Sequence, residues 1–395
     1  MRPQSDSTSL ISKLWDFWLL GGASIVFWVF MITLKQLKEF SEPLEKHFVG
    51  LAPVFALLLV FCNYPHFMMS YKFAYGQGTK FVWKNWISLV AVPVLLAASF
   101  GLAFFLFETE IDAFQSVGFI NLVTDKVGLD FRLGSLKNLG TEILSFSVLL
   151  MFLLVGWHYS KQVFGCVILY SRYEKYPLSQ LQRNLIKWSL LSVAVFNFLY
   201  LSIYSPQYNS TSVPKTYFLN IPSVPLGLPG WFIPLSELIV GVLTVASAYL
   251  IFYRNYKNKK ILPSLNLITP WIAFYIWWIP VSSLGEYYFL AVPFFHSLQY
   301  LAFAYRRDVS RAQNMKKFNF TMSVRVVLLL FMGLITFELL PSFLDSYSES
   351  YWNFRTWFFM ISIPVFINIH HYFIDSVTWK FESKEVSESL LKNWR

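Results

Sequence analysis

The sequence predicts an all-α fold: a polytopic membrane bundle of about ten transmembrane helices, with both termini on the cytoplasmic side. Three observations predict it. Of 395 residues, 56% are hydrophobic and only 14% charged, where soluble domains carry about 25% charged residues. Aromatic residues reach 20%, with 41 Phe, 22 Tyr and 15 Trp. A water-soluble domain has too little volume for its surface to hide that much apolar area. Finally, the 32 Lys and Arg gather between apolar segments, as topology signals do. They form no soluble basic face, so the net charge of +10 predicts no nucleic-acid partner. Two cysteines, Cys62 and Cys166, lie inside apolar stretches and make neither a disulfide framework nor a cysteine metal cluster.

A span needs about 20 mostly apolar residues. Ten segments qualify, roughly 14–34, 51–70, 86–107, 143–170, 188–204, 231–252, 264–283, 285–305, 326–344 and 356–378. The first lacks a small-residue cleavage site and reads as a retained anchor. Residues 1–395 therefore read as a single integral membrane domain. With the N-terminus inside, 23 Lys and Arg fall on cytoplasmic segments and eight on outer loops, which sets the N-in, C-in orientation. Two outer loops are long. Residues 109–140 are acidic and amphipathic, while 205–230 hold five prolines and are not expected to be helical. Each is either a plain connector or a lid.

Histidine carries the functional signal. Of six His, His47 falls in the first outer loop as a surface residue. The other five lie in spans: His66 in the second, His158 in the fourth, His296 in the eighth, His370 and His371 in the tenth. All four spans are even-numbered, so all run from outside to inside, and in each the His lies towards the cytoplasmic end. At about 1.5 Å per residue, all five could share one slab in the inner-leaflet half of the bilayer. An ionisable group in hydrocarbon is costly and usually faces the bundle interior. Imidazoles offered by several helices are how bundles build metal sites; the alternative is a hydrogen-bonded set of structural histidines. Adjacent residues on a helix point about 100° apart, so which of His370 and His371 faces inward is open.

The neighbouring positions are polar. Asp375 follows His371 at i+4 and so shares its face. It could orient a ring, bind metal itself, or simply pair with Lys380. Gln162 follows His158 by four residues, Gln299 and Tyr300 follow His296 by three and four, and Ser70 follows His66 by four. Gln162, Gln299 and Tyr300 are the candidate catalytic, cavity-lining residues; ordinary interhelical hydrogen bonds are the alternative. Lys161 reads as a snorkelling lysine, Glu237 and Glu338 as interfacial, and Glu286 as part of an outer turn. The run Tyr275-Ile276-Trp277-Trp278 reads as packing rather than a substrate tunnel.

Four segments, Tyr64-Pro65-His66-Phe67, Trp157-His158-Tyr159, Phe295-His296-Ser297 and His370-His371-Tyr372-Phe373-Ile374-Asp375, resemble in order the four His motifs of the Brp/Blh-type membrane β-carotene dioxygenase family. The matching positions are His66, His158, His296 and His370, with Asp375 as the matching acid. The resemblance implies a ferrous, non-haem iron held by four histidines from four helices, dioxygen as co-substrate, and cleavage of a polyene. The family has an acid where this chain has Ser70, and a second His where it has Tyr300. These departures lie beside the pocket and leave carotenoids and other polyene or lipid substrates open. The expected reading is an oxygenase of the bacterial cytoplasmic membrane whose lipophilic substrate enters from the bilayer. Electron transfer through haem b and transport of a metal or small solute are the other readings.

Overall fold

The computed structural model describes residues 8–36, 41–107, 139–204, 216–218, 221–222, 228–278, 288–314, 321–352, 357–381 and 383–391. Its framework is helical throughout. The helices are α1 (Lys13–Thr33), α2 (Ser41–Tyr75), α3 (Ile87–Phe105), α4 (Leu139–Tyr173) and α5 (Gln180–Tyr204). There follow α6 (Phe232–Lys259), α7 (Leu265–Trp278), α8 (Tyr288–Asn314), α9 (Val324–Ser348), α10 (Phe358–Thr378) and the terminal α11 (Lys384–Leu391). One antiparallel pair of short strands, β1 (Thr216–Phe218) and β2 (Ile221–Pro222), occupies the proline-rich connection.

Among the described residues, seven helices are long and apolar enough to cross a membrane: α1, the Pro53–Tyr75 part of α2, α3, α4, α6, α9 and α10. The chain is an integral membrane protein. Large apolar side chains such as Leu95, Phe105, Leu238 and Val245 stand exposed on α3 and α6, where lipid is their solvent. The remaining long helices owe their lower hydropathy to particular residues. Helix α5 begins with Gln180, Gln182, Arg183, Asn184 and Lys187, and α8 ends in Arg306, Arg307, Asp308 and Arg311.

Helix bounds differ from the predicted spans in one telling place. Helix α2 starts at Ser41, ten residues before the predicted start, so His47 lies on helical backbone and not in a loop. The acidic loop 109–138 and Glu286 lie outside the described residues. Glu237 is exposed, and Glu338 accepts a hydrogen bond from the Tyr64 hydroxyl. The Tyr275–Trp278 run is core: Trp277 is fully buried, and Tyr275 and Trp278 nearly so.

The functional part is built on α2, α4, α8 and α10. Helix α2 packs on α8 and α10, and α10 packs on α4. Proline interrupts three of the four just before their histidines: Pro65 in α2, Pro293 in α8 and Pro364 in α10. Each lacks the N–H that the regular ladder would use.

Helix α1 braces this core from behind. It kinks at Gly21 (φ 155°), and a Cβ there would lie 2.6 Å from Ala273 Cβ on α7. The neighbouring Leu20 carbonyl accepts a hydrogen bond from Gln299 Nε2 of α8. At the N-terminus Asp16 accepts from Leu10 N (2.7 Å), Ile11 N (3.0 Å) and the Tyr170 hydroxyl. At the cation-rich end, the Arg307 guanidinium lies 4.5 Å from the Phe73 ring centre and 5.1 Å from Trp379. It also bonds Glu385 of α11 at 3.2 Å.

Gly21→Ala forces a methyl into the α1–α7 contact, and overpacking of that kind costs about 1–3 kcal/mol. The expected result is a thermal midpoint in detergent lowered by about 2–6 °C. Gly241→Ala is the control, because nothing lies within 4 Å of a Cβ at that position; its midpoint is expected to be unchanged.

Candidate metal centre

Helices α2, α4, α8 and α10 each contribute one imidazole to a single buried point. Ligand-capable nitrogens of His66, His158, His296 and His371 all lie within 4.8 Å of one another. The four rings are between 0% and 4% exposed. His158 Nε2 and His296 Nε2 face each other at 3.1 Å. Neighbouring ring centres are 4.5 Å (His66–His371), 4.8 Å (His158–His371), 4.9 Å (His158–His296) and 5.1 Å (His66–His296) apart.

His370 is not part of this group. It sits one residue from His371, hence about 100° around the helix, and turns towards α2. Its Nδ1 lies 2.8 Å from the Tyr71 hydroxyl, and its Nε2 lies 3.5 Å from the Tyr75 hydroxyl. Of the two histidines between which the sequence left the choice open, His371 is therefore the one in the group. The reason is rotation: only His371 shares a face with Asp375.

The polar inventory of the cluster is incomplete in an informative way. Ser297 Oγ donates its proton to Asn63 Oδ1 at 2.8 Å. It can therefore only accept from His66 Nδ1, 3.0 Å away. That bond makes His66 the Nδ1–H tautomer and leaves Nε2 as a bare lone pair. Among the described residues His66 Nε2 has no hydrogen-bond partner; neither do His296 Nδ1, both nitrogens of His371, and Asp375 Oδ1. An unsatisfied buried polar atom costs about 1–3 kcal/mol, so such a concentration calls for a ligand at its centre.

A metal ion fits this donor set. Neutral imidazole is a common ligand of Zn, Cu, Fe and Ni. Donors about 2.1 Å from one ion lie at most about 4.2 Å apart, so nitrogens within 4.8 Å of one another would draw together slightly to hold one. The residues that could hold it are His66, His158, His296 and His371. Asp375 stands at the rim, with Oδ2 3.5 Å from His371 Nε2 and 3.9 Å from His158 Nε2. Among the described residues it makes no ion pair with Lys380.

Each ring is also held by an aromatic side chain from the next helix round. Phe67, directly after His66, meets His371 edge-on at 4.8 Å. Tyr372, directly after His371, stacks on His158 at 4.8 Å. Tyr159, directly after His158, stacks on His296 at 3.8 Å. Tyr300, one turn after His296, stacks on His66 at 4.1 Å. The order α2, α10, α4, α8 and back to α2 closes a cycle. Tyr300 also accepts a 2.5 Å hydrogen bond from Ser70.

Gln162 and Gln299 act together behind α8. Gln162 Nε2 reaches the His296 carbonyl at 3.0 Å and Gln299 Oε1 at 3.2 Å, while Gln299 donates to Leu20. Gln299 is thus a brace between helices; Gln162 is also on the wall of a cavity of about 570 Å³ that reaches His158, Tyr300, Tyr372 and Asp375. Sequence reasoning missed Asn63, Ser297 and the three aromatics that directly follow a histidine. Their signal was adjacency: Asn63 precedes His66 by three residues and shares its face.

No protein-family model matches the chain, and no curated protein or solved structure matches it either.

Ser297→Ala removes the acceptor that sets the His66 tautomer. The expected consequence is a 10- to 100-fold loss in metal affinity, the usual scale for losing the hydrogen bond behind a ligating histidine (~10–100-fold). Titration of metal-stripped protein in detergent measures it. Affinity equal to that of the unmodified chain would remove Ser297 from the account.

Proposed function

We propose that the chain is a membrane-embedded non-haem iron oxygenase acting on a lipophilic substrate, such as a carotenoid or another polyene or lipid. The proposal includes ten membrane crossings with both termini in the cytoplasm, in a bacterial cytoplasmic membrane. The observation that carries it is the convergence of four buried imidazoles, among which His66 Nε2, His296 Nδ1 and both nitrogens of His371 have no hydrogen-bond partner among the described residues. Iron as the metal, and oxygenation as the reaction, rest on the resemblance of the four His segments to the Brp/Blh-type dioxygenases.

His66, His158, His296 and His371 would hold the ion. Ferrous iron there would supply the capacity to bind and activate dioxygen, a reagent otherwise inert towards a closed-shell hydrocarbon. The protein's own part is geometric and dielectric. The cycle of aromatic rings fixes each imidazole, and apolar side chains such as Phe164, Ile168 and Phe303 on the cavity wall exclude water. Asp375 Oδ1, on the same wall and without a protein partner, is the atom suited to hold or deliver a proton there. The Ser70–Tyr300 pair orients the phenol beside it.

The two competing readings fare worse on specific grounds. A haem takes two imidazoles on opposite faces of a planar macrocycle, whereas here four imidazoles meet at one point and leave no plane between any two. Transporters bind near the interfaces of internal repeats, and no repeat is visible in this sequence.

Metal analysis and an absorption spectrum on the same detergent-purified sample test the proposal. About one iron per chain without a Soret band is expected, lost in His158→Ala and His371→Ala and retained in His370→Ala. A Soret band would favour haem. A chain from iron-replete cells with no stoichiometric metal would overturn the metal reading altogether.

A further inference from the structure

The cavity that reaches the histidine cluster has three kinds of lining. His158, Tyr300, Tyr372 and Asp375 are buried, and Phe164, Phe303, Phe381 and Leu390 are apolar. Lys161, Lys187 and Lys380 line its exposed side. These lysines come from three separate parts of the chain: α4, α5 and the residue pair beyond α10. Lys161 feels the charges of the other two. All three are exposed, and among the described residues none has a carboxylate within ion-pair distance. Lys161 instead lies over the Trp157 ring at 4.0 Å from its centre. Three uncompensated ammonium groups around one opening repel each other and favour an anion between them.

We propose that this cavity takes a single-chain anionic amphiphile, with a carboxylate or phosphate monoester head among Lys161, Lys187 and Lys380 and the hydrocarbon chain running inwards towards His158. The proposal rests on the oxygenase reading for the claim that this amphiphile is the substrate, and narrows the substrate from lipophiles in general to acidic ones. Among the described lining residues the cations are these three lysines, and their side favours the anionic head. A neutral polyene would use the apolar middle but would leave the lysine triad without a role. The cavity volume of about 570 Å³ lies within the range of small-molecule sites, about 300–1,000 Å³. The terminal helix α11 closes one side, through Val386 and Leu390, and is tied down by the Tyr173 hydroxyl on the Leu390 carbonyl at 2.6 Å.

Equilibrium binding of tritiated palmitate to the full chain in a neutral detergent tests this. Hexadecyl phosphate, hexadecanol and inorganic phosphate serve as competitors, and metal content is measured on each sample. Two variants are needed. Lys161→Gln/Lys187→Gln/Lys380→Gln removes the head site. Gly165→Leu fills the chain site, since Gly165 lines the cavity and a Cβ there points at the Phe381 ring edge 3.9 Å away. Leucine also favours the helix over glycine, so the variant keeps its fold.

Expected is saturable binding of one palmitate per chain, displaced by hexadecyl phosphate. Hexadecanol and inorganic phosphate should each be at least about tenfold weaker. Both variants should weaken palmitate by about tenfold or more while keeping their metal. Two results would overturn the proposal: hexadecanol competing as well as palmitate, or palmitate indifferent to Gly165→Leu. The second would mean that the lysines only hold phospholipid headgroups at the membrane surface. Metal-free protein that still binds palmitate in the expected pattern would sink the oxygenase reading and leave the amphiphile site standing. Metal-loaded protein with the overturning pattern would do the reverse.

Discussion

Four buried imidazoles with too few protein partners are the constraint around which the rest of this bundle is arranged. In an aqueous protein such rings would find hydrogen bonds easily. Here they lie inside a helical membrane core, where each unsatisfied polar atom is expensive. The surrounding structure makes no attempt to satisfy them all. It spends Ser297 and Asn63 on one nitrogen of His66 and leaves the inward-facing nitrogen bare. A fold that only needed to bury histidines would pair both sides of each ring.

Holding such a cluster in place demands rigidity, because freely rotating rings would lose their common centre. The cyclic use of aromatics supplies it. Phe67, Tyr372, Tyr159 and Tyr300 each cover the histidine of the next helix, so moving one helix disturbs two sites at once. Stacked and edge-on rings are worth about 0.5–1.5 kcal/mol each beyond their burial. Outside the cycle, Gln162 and Gln299 tie α4 to α8 and α8 to the kink of α1. The Gly21 kink is thus linked to the centre through one amide side chain.

Much of this was legible in the chain and some was not, for physical reasons. Hydropathy marked ten apolar segments, and strict alternation of helix direction put His66, His158, His296 and His371 at a common depth. Among the described residues seven helices are long and apolar enough to cross; of the four site helices only α8 is not among them, because it trades apolar residues for polar ones. Helix α8 is the clear case: it donates His296 and Ser297 and ends in Arg306 and Arg307. The choice between His370 and His371 was not legible, since a rotation of 100° depends on how α10 packs against α2. The Ser297–Asn63 bond was not legible either, because it joins residues 234 positions apart. Adjacency of aromatics to histidines was visible, but that each covers a neighbour's ring emerges only from the order of the helices.

The positive-inside pattern and the lysine-mouthed cavity share one physical origin. Lysines gather at the inner interface because translocating them is costly, and most have no further duty. Lys161 differs in its place: it sits in the long helix α4, three residues after His158, with its ammonium group on the Trp157 face. A lysine there belongs both to the interface and to the cavity leading to His158. With Lys187 and Lys380 it makes one side of that cavity cationic, beside apolar residues such as Phe164, Phe303 and Leu390. On the proposed reading, an acidic amphiphile entering this cavity is sorted by charge before it reaches the imidazoles. In the proposed orientation, lysines that set the topology of the chain also orient that ligand.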